Sequence, residues 1–153
     1  MNIRAASDKD ANQISKLACS LSEKYVTVEL PESIAKSLLN SMSLEEIEKC
    51  MKVNVKYFVA EIGKDIVGVV GVKNNNHLHH LFVNEKFHKM GIARRLWNEI
   101  KDECITNGNS KEFTVNSSKY AKNIYEKLGF VAQSGPQERN GVTFIPMKLE
   151  ILS

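Results

Sequence analysis

Two hydrophobic periods alternate along the chain. Met1–Ala6 reads as a short strand, and Ser7-Asp8-Lys9-Asp10 has the form of a capping box. Behind it, Ile14, Leu17, Ala18 and Leu21 recur at helical spacing. A second helical zone follows Leu30-Pro31, carrying Ile34, Leu38 and Leu39. Ser43-Leu44-Glu45-Glu46 caps a further helix from Ile47 to Met51. The pattern then changes to strands over Tyr57–Ile62 and Ile66–Val72, joined by a tight turn at Gly63-Lys64-Asp65. Asn74-Asn75-Asn76 turns the chain into a strand over His77–Val83. The helix opening at Gly91 carries Ile92, Leu96, Ile100 and Cys104 and ends near Asn107-Gly108-Asn109. Lys111–Asn116 reads as a strand, and Ser118–Leu128 as a helix stopped by Gly129. Phe130–Gln133 and Val142–Leu152 close the chain as strands around a Gly135-Pro136 turn. The order predicts a mixed α/β domain (α+β) over residues 1–153, mostly one sheet with helices on both sides.

Composition narrows the function classes. Hydrophobic residues at 42% and charged residues at 25% are ordinary for a soluble globular protein. A net charge of +3 is well short of the basic excess of a nucleic-acid binder, so no nucleic-acid partner is expected. Cys19, Cys50 and Cys104 are odd in number and widely separated. That argues against a disulfide framework and a clustered metal site, and it suits a reducing cytoplasm. Met1-Asn2-Ile3-Arg4 precedes no apolar signal segment, and no window reaches membrane-spanning length.

Candidate chemistry begins at Glu85-Lys86-Phe87-His88-Lys89-Met90-Gly91-Ile92-Ala93-Arg94-Arg95, where a basic turn runs into a glycine and then a helix. A helix N-terminus leaves several N–H groups unpaired and carries about half a positive charge. Gly91 and Ala93 allow close approach, and Lys89, Arg94 and Arg95 add charge, so the turn suits a diphosphate.

His88-Lys89-Met90-Gly91-Ile92-Ala93 resembles the acetyl-coenzyme A motif of the GCN5-related N-acetyltransferase (GNAT) superfamily, with His88 where the family has Gln or Arg. About thirty residues on, Ala121-Lys122-Asn123-Ile124-Tyr125-Glu126-Lys127-Leu128-Gly129-Phe130 is similar to the family's late helix, and the element order matches over nearly the whole chain. The resemblance implies a mixed, mostly antiparallel central sheet flanked by helices on both faces. It also implies transfer of acetyl from acetyl-coenzyme A to a primary amine, directly in a ternary complex and without a metal. Residues His88, Lys89, Met90, Gly91, Ile92, Ala93 and Arg94 would hold the diphosphate, with Asn116 and Asn123 as further cofactor contacts. A backbone N–H of Phe82 or Val83 would meet the thioester carbonyl, and Tyr125 would serve the leaving sulfur. The acceptor would lie between residues 19–52 and 134–147, which carry Tyr25, Glu29, Glu32, Glu138, Arg139 and Phe144. Homodimers are frequent in the family, and oligomeric state stays open.

The attacking amine needs a base. Strand alternation would put His77, His79, Leu81 and Val83 on one face and Leu78, His80 and Phe82 on the other. Two residues along a strand lie roughly 6.5 Å apart, so His77 and His79 could bracket one amine or water. Their spacing to Gly91 resembles that of two strand histidines in the serotonin N-acetyltransferase branch, a parallel limited to those positions. Both fit ordinary sheet-surface histidines equally well. Cys104 and Tyr125 also sit on apolar stripes, and Ser117 or Ser118 suits a cap. Besides a small-molecule acetyltransferase, two readings stay open: a non-catalytic acyl-coenzyme A sensor, and an enzyme acetylating protein lysines or N-termini. A protein substrate calls for an open groove, a small amine for an enclosed pocket.

Overall fold

In the computed structural model, which describes residues 1–152, eight strands and five helices follow one another. The strands are β1 (Asn2–Ala5), β2 (Val55–Ile62), β3 (Asp65–Lys73), β4 (His77–Val83), β5 (Glu112–Ser117), β6 (Val131–Ala132), β7 (Gln137–Arg139) and β8 (Val142–Glu150). The helices are α1 (Ala11–Tyr25), α2 (Glu32–Asn40), α3 (Leu44–Val53), α4 (Ile92–Thr106) and α5 (Lys122–Lys127). Sheet order is β1-β2-β3-β4-β5-β8-β6, with β7 on β8. Every pairing is antiparallel except β4 with β5.

The sheet is covered on both faces. On one, Ile92, Leu96, Trp97 and Ile100 of α4 pack with Val70, Val72, Leu78, Phe113 and Val115. Trp97 lies edge-on to Phe113 at 5.0 Å between ring centroids. On the other, Ala11 and Ile14 of α1 and Ile47 of α3 pack with Tyr57, Val59 and Val69. The doubly covered β2 and β3 are therefore apolar almost throughout, whereas β5 shows the alternation of a strand with one exposed face.

Three local departures from the sequence pattern shape the site. First, α5 is one and a half turns long rather than three, because Ser118 Oγ accepts the Ala121 N–H and holds residues 118–121 in a turn. Second, residues 130–142 contain an extra strand: β7 and β8 form a hairpin through Asn140-Gly141, both at positive φ. Third, β4 carries a bulge. Gly71 pairs with His80 but Val72 with Leu78, so His79 is left without an opposite residue.

The bulge overturns the predicted sharing of faces. Leu78, Leu81 and Val83 join the α4 core, while Phe82 packs with the α1 core and His80 meets Tyr57 there. The extra residue puts the rings of His79 and His80 side by side, 4.1 Å apart, rather than on opposite faces.

Candidate active site

Parallel pairing of β4 with β5 covers only His77 with Thr114 and Leu78 with Val115. Beyond Leu78 the two strands separate: β4 stays with β3, and β5 continues with β8. Between them opens a cavity of about 620 Å³, closed by α1, α2, the 87–94 turn, α5 and the start of β8. The Asn84 N–H donates to the Val67 carbonyl, on the β3 side. Strand alternation then turns the backbone groups of Val83 and Leu81 towards the cavity and those of Phe82 towards β3. The Val83 carbonyl accepts a hydrogen bond from His88 Nε2 at 2.6 Å. A carbonyl can only accept, so Nε2 carries the proton.

One end of the cavity gathers unpaired backbone N–H groups and positive charge. Lys89 and Gly91 both adopt left-handed backbone, at φ 64 and 76 degrees, and Gly91 caps α4. The first α-helical bond is Arg95 N–H to the Gly91 carbonyl, so the N–H groups just before it have no partner within the helix. A Cβ on Gly91 would meet no protein atom within 4 Å, which leaves that space for a ligand. The charged groups lining this end are Lys89, Arg94 and Lys127. Arg94 also donates to the Lys127 carbonyl at 2.7 Å, tying α4 to the end of α5.

Tyr125 projects from α5 into the same cavity. Its ring is 7% exposed and packs edge-on against Phe130, 5.9 Å between centroids. Its hydroxyl has no hydrogen-bond partner among the described residues, and burial raises its pKa above the usual phenol value. The hydroxyl is a proton donor facing an open space.

His79 and His80 both line the cavity. Burial brings His79 down to about 4, with Lys73 and His77 adding smaller repulsions. Burial takes His80 to about 3. Its Nδ1 lies 2.9 Å from the Tyr57 hydroxyl, whose own acidity burial suppresses. Gly71 makes that contact possible, since a Cβ there would fall 2.5 Å from the Tyr57 ring. Both imidazoles are therefore neutral near pH 7, and His79, whose ring has no hydrogen-bond partner among the described residues, has a lone pair available.

Of the residues singled out in the sequence, the cavity brings together His79, Phe82, Val83, His88, Lys89, Gly91, Ile92, Ala93, Arg94, Asn116 and Tyr125. Of the expected catalytic and cofactor residues, three lie outside its lining, as do Arg95, Glu29, Glu32, Glu138 and Arg139. His77 turns to Thr114, its Nδ1 2.8 Å from Oγ1; Met90 is exposed on the turn; Asn123 is exposed on α5. Ser118 is the cap, and Cys104 is core. Other lining residues were not individually marked as site residues in the sequence, among them His80, Leu21, Met42 and Tyr120. His80 was hidden by the bulge, and Leu21, Met42 and Tyr120 are apolar or aromatic positions whose only sequence signal was helix or turn periodicity. Tyr120 stacks on Tyr25 at 4.5 Å and 7 degrees, joining the 118–121 turn to the end of α1 within the cavity wall. Tyr25 also donates to Glu85, which pairs with Lys24 at 2.8 Å.

The model of the acetyltransferase (GNAT) domain matches residues 17–151 of the chain. The chain belongs to the GNAT acetyltransferases. Solved structures agree in fold. A GCN5-related N-acetyltransferase of Rhodopseudomonas palustris superposes with a TM-score of 0.79 at 16% identity, over 98% of this chain and 95% of its own. The PaiA N-acetyltransferase of Thermoplasma acidophilum, solved with coenzyme A, gives 0.78 at 18% identity over 98% of both chains. An aminoglycoside 6'-N-acetyltransferase of Enterococcus faecium gives 0.73 at 19% identity, over 100% and 98%. No curated protein matches this sequence. This GNAT acetyltransferase has no helix among its described residues that is long and apolar enough to cross a membrane.

Proposed function

We propose that this GNAT acetyltransferase moves acetyl from acetyl-coenzyme A to the primary amine of a small molecule, by direct attack with both substrates bound. The observation that carries the reading is the meeting, in one cavity, of an anion-binding turn, a backbone edge, a free phenol and two neutral imidazoles. An acyl-coenzyme A sensor would need the turn but neither the phenol nor the imidazoles. The Tyr25–Tyr120 stack, which ties α1 to the 118–121 turn within the cavity wall, favours a small acceptor over an extended peptide.

The residues present fit coenzyme A. The unpaired N–H groups from Gly91 into α4 would take the diphosphate, and the left-handed glycine leaves its space clear. The exposed edge of β4 at Leu81 and Val83 would pair with the amides of the pantetheine arm, with the Val83 N–H directed at the thioester carbonyl. Acetyl-coenzyme A supplies the activated acyl group. Tyr125 then donates a hydrogen bond, or its proton, to the departing sulfur. His79 takes the amine proton as the nitrogen attacks, when that proton becomes far more acidic than in a free ammonium. Binding is tested by calorimetry with coenzyme A, and turnover by mass spectrometry of the acetylated amine. Gly91→Val fills the ligand's space with a branched side chain that also disfavours positive φ. It should weaken coenzyme A binding by about 30-fold and lower Tm by a few degrees.

The low pKa of His79 fixes the expected pH profile. His79 is already neutral at pH 6, so its titration lies below the working range. The acceptor must arrive as free base, whose fraction grows about tenfold per pH unit below the amine pKa. Steady-state kcat/KM for the amine should therefore rise with pH from about 6.5 to 9, with no break near 6.5. A plateau beginning at neutrality would assign the controlling proton to a histidine of ordinary basicity instead.

A further inference from the structure

The two ends of the cavity differ in charge. Its formal positive charges belong to Lys89, Arg94 and Lys127, around the turn before α4 and the end of α5. The part contributed by α1, α2 and β8 is lined by Leu21, Val26, Leu38, Met42, Val142 and Phe144. Among the described residues no aspartate or glutamate lines the cavity anywhere. The carboxylates marked in the sequence at Glu29, Glu32 and Glu138 all lie outside it, and Glu85 beside the opening is held by Lys24 and Tyr25. Three hydroxyls of this part are engaged: Ser22 Oγ is 3.8 Å from Met42 Sδ, Ser41 Oγ donates to the Leu38 carbonyl and the Tyr25 hydroxyl to Glu85, while Thr143 of β8 adds a neutral hydroxyl but no charge. The guanidinium of Arg139, itself outside the lining, sits 5.1 Å from the centroid of the Phe144 ring, so the charge beside this part is positive.

A second ammonium entering this space would lose water and find no anion. A carboxylate on the acceptor would find no cation within the acceptor part. Taking an unpaired charge from water into such a site is strongly unfavourable, whereas methylene and aromatic surface is favoured there. We infer that the acceptor is a monoamine on an apolar, uncharged body, and that polyamines and aminoglycosides are excluded despite the names borne by some fold neighbours. The inference rests on the acetyl-transfer reading, which it narrows to a substrate class.

The test uses the whole chain with a matched pair, hexylamine and 1,6-diaminohexane, which differ only in the second ammonium. 2-Phenylethylamine, spermidine and kanamycin extend the comparison, and coenzyme A binding is measured alongside. Acetylated product is quantified by mass spectrometry. The expected result is a kcat/KM for hexylamine at least about 30-fold above that for the diamine, with 2-phenylethylamine used and spermidine and kanamycin not. Leu38→Glu places a carboxylate in the lining from α2 and should raise the diamine-to-monoamine ratio about tenfold. Diamine or kanamycin turnover matching that of hexylamine would overturn the substrate class and leave the transferase reading standing. Bound coenzyme A with no product from any amine would overturn that reading and this inference together. The wild-type comparison decides the matter even where Leu38→Glu folds poorly.

Discussion

Tyr125→Phe is expected to lower kcat for acetyl transfer by about 10²- to 10³-fold, leaving KM for acetyl-coenzyme A and the melting temperature nearly unchanged. The separation follows from how the side chain is held. Its ring belongs to the α4-side core and packs on Phe130, and phenylalanine keeps that packing. Its hydroxyl has no partner among the described residues, so its removal orphans no donor or acceptor; the stability change should stay within about 0.5 kcal/mol. Burial raises the phenol's pKa, so the group stays protonated and ready to donate through the range where the enzyme works. A leaving thiolate has an ordinary pKa near 8.5, so a donated hydrogen bond already stabilises it substantially. Steady-state kinetics and thermal unfolding of the one variant check both halves. A drop in kcat below about threefold would reduce Tyr125 to a core residue.

The parts of the site readable from sequence are those built from consecutive residues. The turn before α4 announces itself by local chemistry, since a left-handed position, small residues and clustered cations are written side by side. Tyr125 could be placed because its helix stops at Gly129 and the spacing to the turn is fixed by element order. What alternation could not supply was β4. Period two holds only while residues pair one to one, and the bulge at His79 inserts a residue into that count. One extra residue moved His80 into the cavity lining beside His79 and left His77 on Thr114. The separation of β4 from β5 was equally invisible, being a parallel contact between segments some thirty-five residues apart that stops after two pairs. The Asn140-Gly141 hairpin, by contrast, carried a plain turn signal, obscured by the nearby Gly135-Pro136. The part of the cavity between α1, α2 and β8 depends on such distant contacts throughout. Tyr25 meets Tyr120 and Ile34 meets Gly141, and neither pairing leaves a trace in local periodicity.

Lowering the pH from 7 to 4.5 should destabilise this protein by about 2 kcal/mol through His80 alone, and His80→Gln should remove most of that loss. His80 is enclosed by Tyr57, Phe82 and His79, with no carboxylate among these neighbours to stabilise an imidazolium. Its pKa is near 6.5 in the unfolded chain and about 3 in the fold. Between those values the unfolded chain binds more protons than the native state, so acidification favours unfolding across that window. The contribution is fully present above about pH 6.5 and disappears as pH falls towards 3. Glutamine can still accept from the Tyr57 hydroxyl, so the variant keeps that hydrogen bond while abolishing the titration. Titrating carboxylates act on both proteins alike and cancel in the comparison. Urea unfolding of the two proteins at pH 7 and pH 4.5 measures the difference. Equal losses in both would mean that His80 is protonated within the fold, and the apolar enclosure that keeps it and its neighbour His79 neutral would no longer explain a base able to accept a proton at working pH.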